Sequence, residues 1–239
     1  MSWQLLTRRG VDVDHAVHAA SVDDVRPAVR AGTQSPVGGR IKRLFDIAIA
    51  TLALIALSPL MLAVALLIKL TMGGPVLFAH RRIGLNGKPF PCYKFRTMVN
   101  DAEERLSRYL AQDPHIAREW SEARKLEHDP RVTMLGRVLR KSSLDELPQL
   151  VNVLRGDMSC VGPRPVVAAE LERYGASVTD YLSTRPGLTG LWQISGRNSV
   201  SYATRVALDS AYTRNWSVLL DLAIVVRTIP ALLKFDETA

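Results

Sequence analysis

One long apolar segment stands out in the hydrophobic pattern of this chain. Residues 47–68 form a run of 22 residues without a charge. Basic residues lie on both sides of it: Arg40, Lys42 and Arg43 before, Lys69 after. A helix of about 20 apolar residues is long enough to cross the hydrocarbon core of a bilayer. The pattern therefore predicts a membrane segment, which we bound as residues 40–72.

Ser58 and Pro59 lie in the middle of this segment. A proline removes a backbone hydrogen bond, and at membrane depth the freed group must find a partner, for which the Ser58 hydroxyl is suited. Because cations flank both ends and prefer the cytosolic side, a helix broken here would enter and return on one face. A spanning helix with a proline kink is the alternative, and the residues alone favour re-entry only slightly.

A basic β-hairpin is predicted after Gly73-Gly74-Pro75. Val76 to Ala79 and Phe90 to Phe95 favour strands, and Gly84 to Gly87 favours a turn. The hairpin region carries five cations and no acid: Arg81, Arg82, Lys88, Lys94 and Arg96. A solvated face usually mixes both signs, so an anion-binding site and a solvated face are about equally favoured.

Two further regions are helical in pattern. Residues 99–127 mix charges and are expected to form two surface helices separated at Asp113-Pro114. Residues 216–235 are largely apolar, and a helix at the membrane interface is favoured slightly over a core helix. Residues 1–39 show no sustained period and are expected to form a flexible cytosolic tail. Together the elements predict a mainly α chain with a small β-hairpin, an α+β fold.

An adjacent acid pair follows a basic segment. Arg137, Arg140 and Lys141 precede Asp145 and Glu146. Ser142 and Ser143 are suitable helix caps, and Pro148 favours a helix that begins near residue 144 or 145. Acids in a first helical turn usually only complement the helix dipole. Their basic surroundings favour a second interpretation, in which carboxylates and cations together handle a phosphorylated ligand.

The composition limits the classes of partner that the protein is expected to bind. The net charge of +8 and the pI near 9.8 favour an anionic partner. Cys92 and Cys160 have no metal or disulfide spacing and indicate a reducing compartment. The sequence contains no P-loop, GxGxxG or HExxH motif. A nucleic-acid partner is disfavoured because the cations are not interleaved with exposed aromatic residues and a membrane segment is present.

Two segments after the acid pair contain candidate ligand-binding residues. Arg164 lies between Pro163 and Pro165, so a stiff backbone would present its guanidinium to phosphate oxygens. A rigid turn with a solvated arginine is the competing interpretation. The glycine-rich segment 186–198, with Trp192 and Arg197, is suited to a sugar or nucleotide pocket.

The chain from about residue 40 to 235 resembles bacterial sugar transferases, the monotopic polyprenyl-phosphate phosphoglycosyl transferases. The resemblance is carried by several motifs in one order, namely residues 42–46, Ser58-Pro59, residues 93–98, 143–150, 152–159, 162–165 and 185–190. It implies a re-entrant membrane helix at 40–72 and a cytosolic, membrane-associated catalytic domain at 73–239. It also implies location on the cytosolic face of the bacterial inner membrane, among its phospholipids.

The resemblance further implies the chemistry. A hexose-1-phosphate would pass from a UDP-sugar to undecaprenyl phosphate with release of UMP, starting exopolysaccharide or O-antigen synthesis, with Mg²⁺ as cofactor. Asp145 would be the nucleophile, and Glu146 would assist it and share the metal. Phosphate-binding positions would be Lys94, Arg96, Arg140, Arg164 and Arg197. The first basic cluster of the membrane segment would lie at the headgroups, beside the lipid phosphate.

Some expectations stay open. Cys160 replaces a more usual aliphatic residue, and the membrane-spanning N-terminal region of some relatives is absent, so we expect a minimal form. The segment after Pro186 weakly favours glucose or galactose as the sugar, and a homodimer is left open. A rival hypothesis is a membrane-tethered basic scaffold without catalytic activity, which the charge and the apolar segment fit equally well.

Overall fold

A computed structural model describes residues 35–123, 126, 128–195 and 200–233. The expected tail at 1–39 therefore lies almost entirely outside the described residues. Helix α1, Gly39–Met72, comes first, and the hairpin strands β1, Leu77–Ile83, and β2, Pro89–Phe95, follow it. The described part is mostly helical with two small sheets, as the α+β prediction expected.

The remaining elements follow the hairpin in chain order. Helices α2, Ala102–Gln112, and α3, Pro114–Ala123, divide at Asp113 as predicted. Next come α4, Met134–Lys141, the 3₁₀ turn Leu144–Glu146, α5, Gln149–Arg155, and β3, Ser159–Val161. The last elements are α6, Ala168–Leu171, the 3₁₀ segment Glu172–Ser177, α7, Val178–Leu182, β4, Gly187–Thr189, α8, Leu191–Ile194, α9, Tyr202–Arg214, and α10, Val218–Leu233.

Helix α1 is continuous through Pro59. The predicted division into two helical arms at Ser58-Pro59 is therefore not observed. Pro59 has no N–H for the Ile55 carbonyl, and the Ser58 hydroxyl donates to that carbonyl at 2.9 Å. The expected role of Ser58 is confirmed. Because the freed carbonyl is satisfied locally, the helix continues past the proline.

Both halves of α1 pack on the same domain. Ala50 lies in a core cluster with Phe90 and Val153, and Ile68 lies in another with Phe95 and Leu139. The opposite face exposes apolar side chains along the whole helix, including Leu52, Ile55, Leu62, Leu66 and Leu70. Within the described residues, α1 alone is long and apolar enough to cross a membrane. Its two ends are nevertheless held by one compact unit.

The basic cluster before the apolar run is not at the surface as expected. Lys42 is buried and lies 2.6 Å from a carboxylate oxygen of Asp221. Arg43 donates to the carbonyls of Val153 and Leu154 at 2.5 and 2.7 Å. These two cations join α1 to α10 and α5. Asp46 of the same motif accepts a hydrogen bond from the Ser159 hydroxyl and so joins α1 to β3. Lys42 and Arg43 are therefore engaged by the protein and not free for lipid headgroups as predicted, while Arg40 is exposed.

Helix α10 combines the two alternatives left open for residues 216–235. Ile224 and Asp221 are buried against the domain, so one face is a core face. Leu219, Leu222 and Val226 are exposed on the other. Trp216 donates to Asp221 at 3.0 Å and is therefore held by the protein. An apolar outer face on a packed helix is the pattern of a helix at an interface.

Candidate active site: a carboxylate pair held by a lysine

The acid pair lies in the 3₁₀ turn between α4 and α5, and not in the first turn of an α-helix as predicted. Ser143 adopts a left-handed conformation, with φ at 57°, and makes no cap. The Ser142 hydroxyl donates back to the Val138 carbonyl at 2.8 Å. The capping prediction failed because the chain must reverse sharply after α4, and this places Ser143 at the reversal. Pro148 precedes α5, where it costs no hydrogen bond.

Lys94 of β2 holds the two carboxylates together. Its ammonium lies 2.6 Å from Oε1 of Glu146 and 3.5 Å from Oδ2 of Asp145. The Asp145 side chain is 10% exposed, and that of Glu146 is 38% exposed. Two neighbouring negative charges repel, and a shared cation offsets that repulsion. The arrangement keeps one carboxylate nearly enclosed and the other at the opening.

The protonation of Asp145 reflects this enclosure. Burial raises the pKa of the Asp145 carboxyl, and the charge of Glu146 adds to the rise. Lys94 and Arg140 act in the opposite sense and lower that pKa. Burial alone would lower the pKa of Lys94, but the charges of Glu146 and Asp145 outweigh it and the pKa is raised. Lys94 is therefore a firmly charged partner of the pair.

Arg140 approaches Asp145 from α4. Its Nε donates to Oγ1 of Thr97 at 2.9 Å, which fixes the plane of the guanidinium at the end of the hairpin. Helix α4 can come this close because Gly136 has no side chain. A Cβ there would lie 2.0 Å from the Thr97 carbonyl oxygen. Gly136 thus allows α4 to bring Arg140 into contact with Thr97, on the side of Asp145.

The hairpin register decides which of its cations face the site. Directly opposed residues of an antiparallel pair point to the same face, and so do alternate residues of one strand. Phe90 lies four residues before Lys94 on β2 and therefore shares its face, and Phe90 is paired with Arg82. Arg82 therefore shares the face of Lys94, whereas Arg81 lies on the opposite face. The Arg82 Nη1 atom is buried and has no hydrogen-bond partner among the described residues.

Arg164 acts electrostatically on Arg82 and Cys92 of the hairpin. Burial lowers the pKa of the Arg82 guanidinium, and the charge of Arg164 lowers it further. Burial also raises the pKa of Cys92 to about 11, against the charges of Lys94, Arg82 and Arg164. The charge of Glu146 also raises the pKa of the Cys92 thiol. Two guanidinium groups of which one weakens the protonation of the other, and one has an unpaired donor, are suited to an anionic ligand.

One predicted phosphate-binding residue, Arg96, is not brought to this cluster. Arg96 is buried, and its guanidinium donates to the carbonyls of Met72 and Gly73 and to the Asn100 side chain, so it caps the end of α1. Arg197 lies outside the described residues.

The aromatic residue of the glycine-rich segment is part of the protein interior. Trp192 is buried, and the Arg205 guanidinium lies 4.7 Å from the centre of its ring. The segment also contributes β4, whose residues pair in parallel with β3. The β3–β4 pairing draws this segment into the protein, and the predicted sugar or nucleotide pocket at 186–198 stays a prediction.

The donor set fits a hard cation that is shared with a substrate. Among the described residues, no group of three or more His, Cys, Asp or Glu side chains is arranged to hold a metal ion. Asp145 and Glu146 provide two adjacent carboxylates, one of them open to solvent. Mg²⁺ characteristically uses one or two carboxylates and completes its shell with substrate phosphates and water. The pair fits that pattern.

Paired carboxylates among cations, on a domain that packs against a long apolar helix, fit a transferase that acts on phosphorylated substrates at a membrane. Residues 37–235 match the family model for bacterial sugar transferases, and the chain belongs to this family.

The chain is similar to the exopolysaccharide production protein ExoY of Sinorhizobium fredii. The two are 59% identical over 200 residues, which cover 84% of this chain and 88% of that protein. It is also 53% identical over 197 residues to the undecaprenyl-phosphate galactose phosphotransferase of Salmonella typhimurium, covering 82% of this chain and 41% of the longer protein. The UDP-glucose:undecaprenyl-phosphate glucose-1-phosphate transferase of Caulobacter vibrioides is 42% identical over 205 residues, covering 82% of this chain and 71% of that protein.

Proposed function

We propose that this protein transfers a hexose-1-phosphate from a UDP-sugar to undecaprenyl phosphate through a covalent intermediate on Asp145. The observation that carries the proposal is the Lys94 ammonium, which contacts both carboxylates at 2.6 and 3.5 Å. A carboxylate held in one position among cations is suited to nucleophilic attack on phosphorus. The names of the Salmonella and Caulobacter relatives support the nature of the donor and the lipid acceptor.

The reaction would proceed in two displacements. In the first, an Asp145 oxygen bonds to the sugar-bearing phosphorus, the bond from phosphorus to the bridging oxygen breaks, and UMP leaves with that oxygen. In the second, an oxygen of the lipid phosphate bonds to the same phosphorus and the bond to Asp145 breaks. The free carboxylate is regenerated, so no other reactant is consumed.

The surrounding residues have distinct roles in this proposal. Lys94 keeps Asp145 and Glu146 together, and Arg140, Arg164 and Arg82 neutralise the charge on the non-bridging phosphate oxygens. Glu146 and Asp145 would hold Mg²⁺, which when bound neutralises the diphosphate of the donor. Arg82 joins this group because its unpaired Nη1 lies on the same hairpin face as Lys94.

We further propose that α1 is re-entrant and that the domain lies at the cytosolic face of the bacterial inner membrane, in contact with its phospholipids. The support is that Lys42 and Ile68, near the two ends of α1, both pack into one domain. A helix that crossed the bilayer would place its ends on opposite sides of a hydrocarbon core about 30 Å thick, where one domain could not hold both.

The test is a single-turnover reaction of purified protein with UDP-glucose or UDP-galactose, without lipid. We expect stoichiometric UMP release and a mass increase of one phospho-hexose on a peptide containing Asp145. Asp145→Asn should give neither, and Glu146→Gln should slow both. Asp180→Asn is the matched control, since that carboxylate pairs with the exposed Arg214 at 2.9 Å outside the site.

Two results would argue against the proposal. UMP release only when lipid is present would favour direct transfer without an enzyme intermediate. A protein without activity on any UDP-sugar would favour the scaffold hypothesis instead.

A further inference from the structure

A groove of about 680 Å³ lies between the end of α1 and the start of α4. Its apolar lining comes from Met72, Val99, Met134, Leu135 and Val138. The volume falls within the range of about 300 to 1,000 Å³ that is usual for small-ligand sites. The residues assigned to the acid pair and its cations do not line it.

An exposed apolar stripe of α1 leads to the groove. Leu67 stands one helical turn before Thr71, which lines the groove, and Leu60 stands two turns before Leu67; they are 47% and 40% exposed. On the other side, Met134 and Val138 are 78% and 57% exposed and stand one turn apart on α4. Apolar surface of this kind favours contact with hydrocarbon over water. A ligand of this groove would therefore enter from the same phase that covers α1.

The inner wall of the groove leads to the acid pair. Thr133, which lines the groove, donates from its backbone N–H to the Thr97 carbonyl at 3.1 Å. The Thr97 hydroxyl accepts from Arg140, and the charge of Arg140 acts on Asp145. Thr97 thus contacts both Thr133 in the wall of the groove and the Arg140 cation that acts on Asp145. A chain in the groove would present a polar head at Arg140.

We propose that this groove holds the first isoprene units of the polyisoprenyl phosphate acceptor, with its phosphate at Arg140. The assignment rests on the proposed function, since the acceptor is the one lipid whose phosphate must reach Asp145. Phospholipids need not approach that residue, so their acyl chains are the competing occupant. The groove would then select the acceptor by its hydrocarbon chain as well as by its charge.

The first experiment detects occupancy without turnover. A polyisoprenyl phosphate that carries a photoactivatable group in its first isoprene unit is irradiated with full-length protein in mixed micelles. We expect crosslinks on α4 at Met134 to Val138, displaced by unlabelled polyisoprenyl phosphate and not by phosphatidic acid. Because no reaction is needed, Asp145→Asn should crosslink equally. Equal displacement by phosphatidic acid, or crosslinks confined to other regions, would overturn the assignment.

The second experiment uses matched valines. Val138 lines the groove and Val226 lies on the outer face of α10, and both are 57% exposed. Val138→Asn should raise the KM for the lipid acceptor at least fivefold and leave lipid-independent UMP release within twofold of the unmodified protein. Val226→Asn should change neither quantity. Equal changes in acceptor KM for the two variants would mean a general loss of apolar surface, and would refute the groove.

The two proposals fail in different ways. If UMP is never released without lipid, the proposal of a covalent intermediate is wrong, and the crosslinks still show which lipid occupies the groove. If UMP is released but the crosslinks and the acceptor KM do not depend on the groove, the intermediate stands and the groove assignment is wrong.

Discussion

Lys42 and Asp221 form a buried ion pair, with 2.6 Å between Nζ and Oδ2, although 179 residues separate them in the chain. Tyr212 donates to the second Asp221 oxygen at 2.6 Å, and Trp216 donates to the first at 3.0 Å. The ammonium also donates to the Tyr212 hydroxyl at 2.9 Å. The first turn of α1 is therefore fastened to α10 by a closed polar network.

We expect Lys42→Met to destabilise the protein strongly, because it leaves the Asp221 carboxylate buried without its cation. Breaking one partner of a buried pair costs about 3 to 5 kcal/mol. Lys42→Met/Asp221→Leu should recover part of this loss, since no lone charge is then buried. Thermal unfolding in detergent measures both, with the exposed Arg40→Met as control. A double variant less stable than Lys42→Met would contradict the explanation.

The Ser58 hydroxyl bond to Ile55 predicts a dependence on Pro59. Ser58→Ala should lower the free energy of unfolding by about 0.5 to 1.5 kcal/mol, because the Ile55 carbonyl loses its partner. In a Pro59→Ala background, residue 59 regains an N–H for that carbonyl, and the same substitution should cost less than half as much. Thermal unfolding of the four proteins gives the coupling. Equal costs in both backgrounds would exclude this role.

Arg96 and Arg140 should differ in what they support, although both were predicted to bind phosphate. Arg96→Met should lower the melting temperature and leave the KM for the UDP-sugar nearly unchanged, because that guanidinium caps α1. Arg140→Met should lower kcat/KM for the UDP-sugar at least tenfold with a smaller thermal change. Steady-state kinetics and thermal unfolding of both variants check this. A kinetic defect confined to Arg96→Met would reverse the assignment.

Asp209 predicts a pH dependence of stability. Burial raises the pKa of its carboxyl to about 7 from an ordinary value of 3.8, against the lowering effects of the Tyr174 hydroxyl bond and Arg164. The folded protein therefore binds a proton more tightly than the unfolded chain, and this group weakens the fold as pH rises from about 4 to 7. Asp209→Asn removes that loss, because an amide does not titrate.

We expect Asp209→Asn to gain stability relative to the unmodified protein across this window, by up to roughly 4 kcal/mol, and then to level off. Denaturant unfolding at pH 4, 5.5 and 7.5 measures the difference. Asp180→Asn, at a carboxylate that pairs with exposed Arg214, is the control. A difference that is constant with pH would show that Asp209 is ionised throughout.

The sequence predicted those features of the fold that depend on neighbours in the chain. The uncharged run, the Gly73-Gly74 stop and the turn at Gly84 each depend on a few adjacent residues, and the structure confirms α1 and the hairpin. The β3–β4 pairing was missed, since each strand has only three residues and its partner lies about 28 positions away. Local pattern does not reveal such a contact.

The same distinction holds at the site. Asp145 and Glu146 beside cations were visible because they are adjacent in sequence. Arg82 could have been found from the hairpin register, since the predicted turn places it on the same face of the hairpin as Lys94. The burial of Lys42 was not predictable, because its partner Asp221 appears in the sequence only as an interruption of an apolar run.

Because both ends of α1 are attached to one domain, the acid pair is held at a fixed distance from the exposed apolar face of this helix. Ile68 and Lys42 hold the helix so that its exposed leucines form a single underside. If the exposed face of α1 lies in the membrane as we propose, the domain cannot move Asp145 away from the lipid without releasing one end of α1. A water-soluble donor and a hydrocarbon-bound acceptor would meet in one plane without any tether having to move.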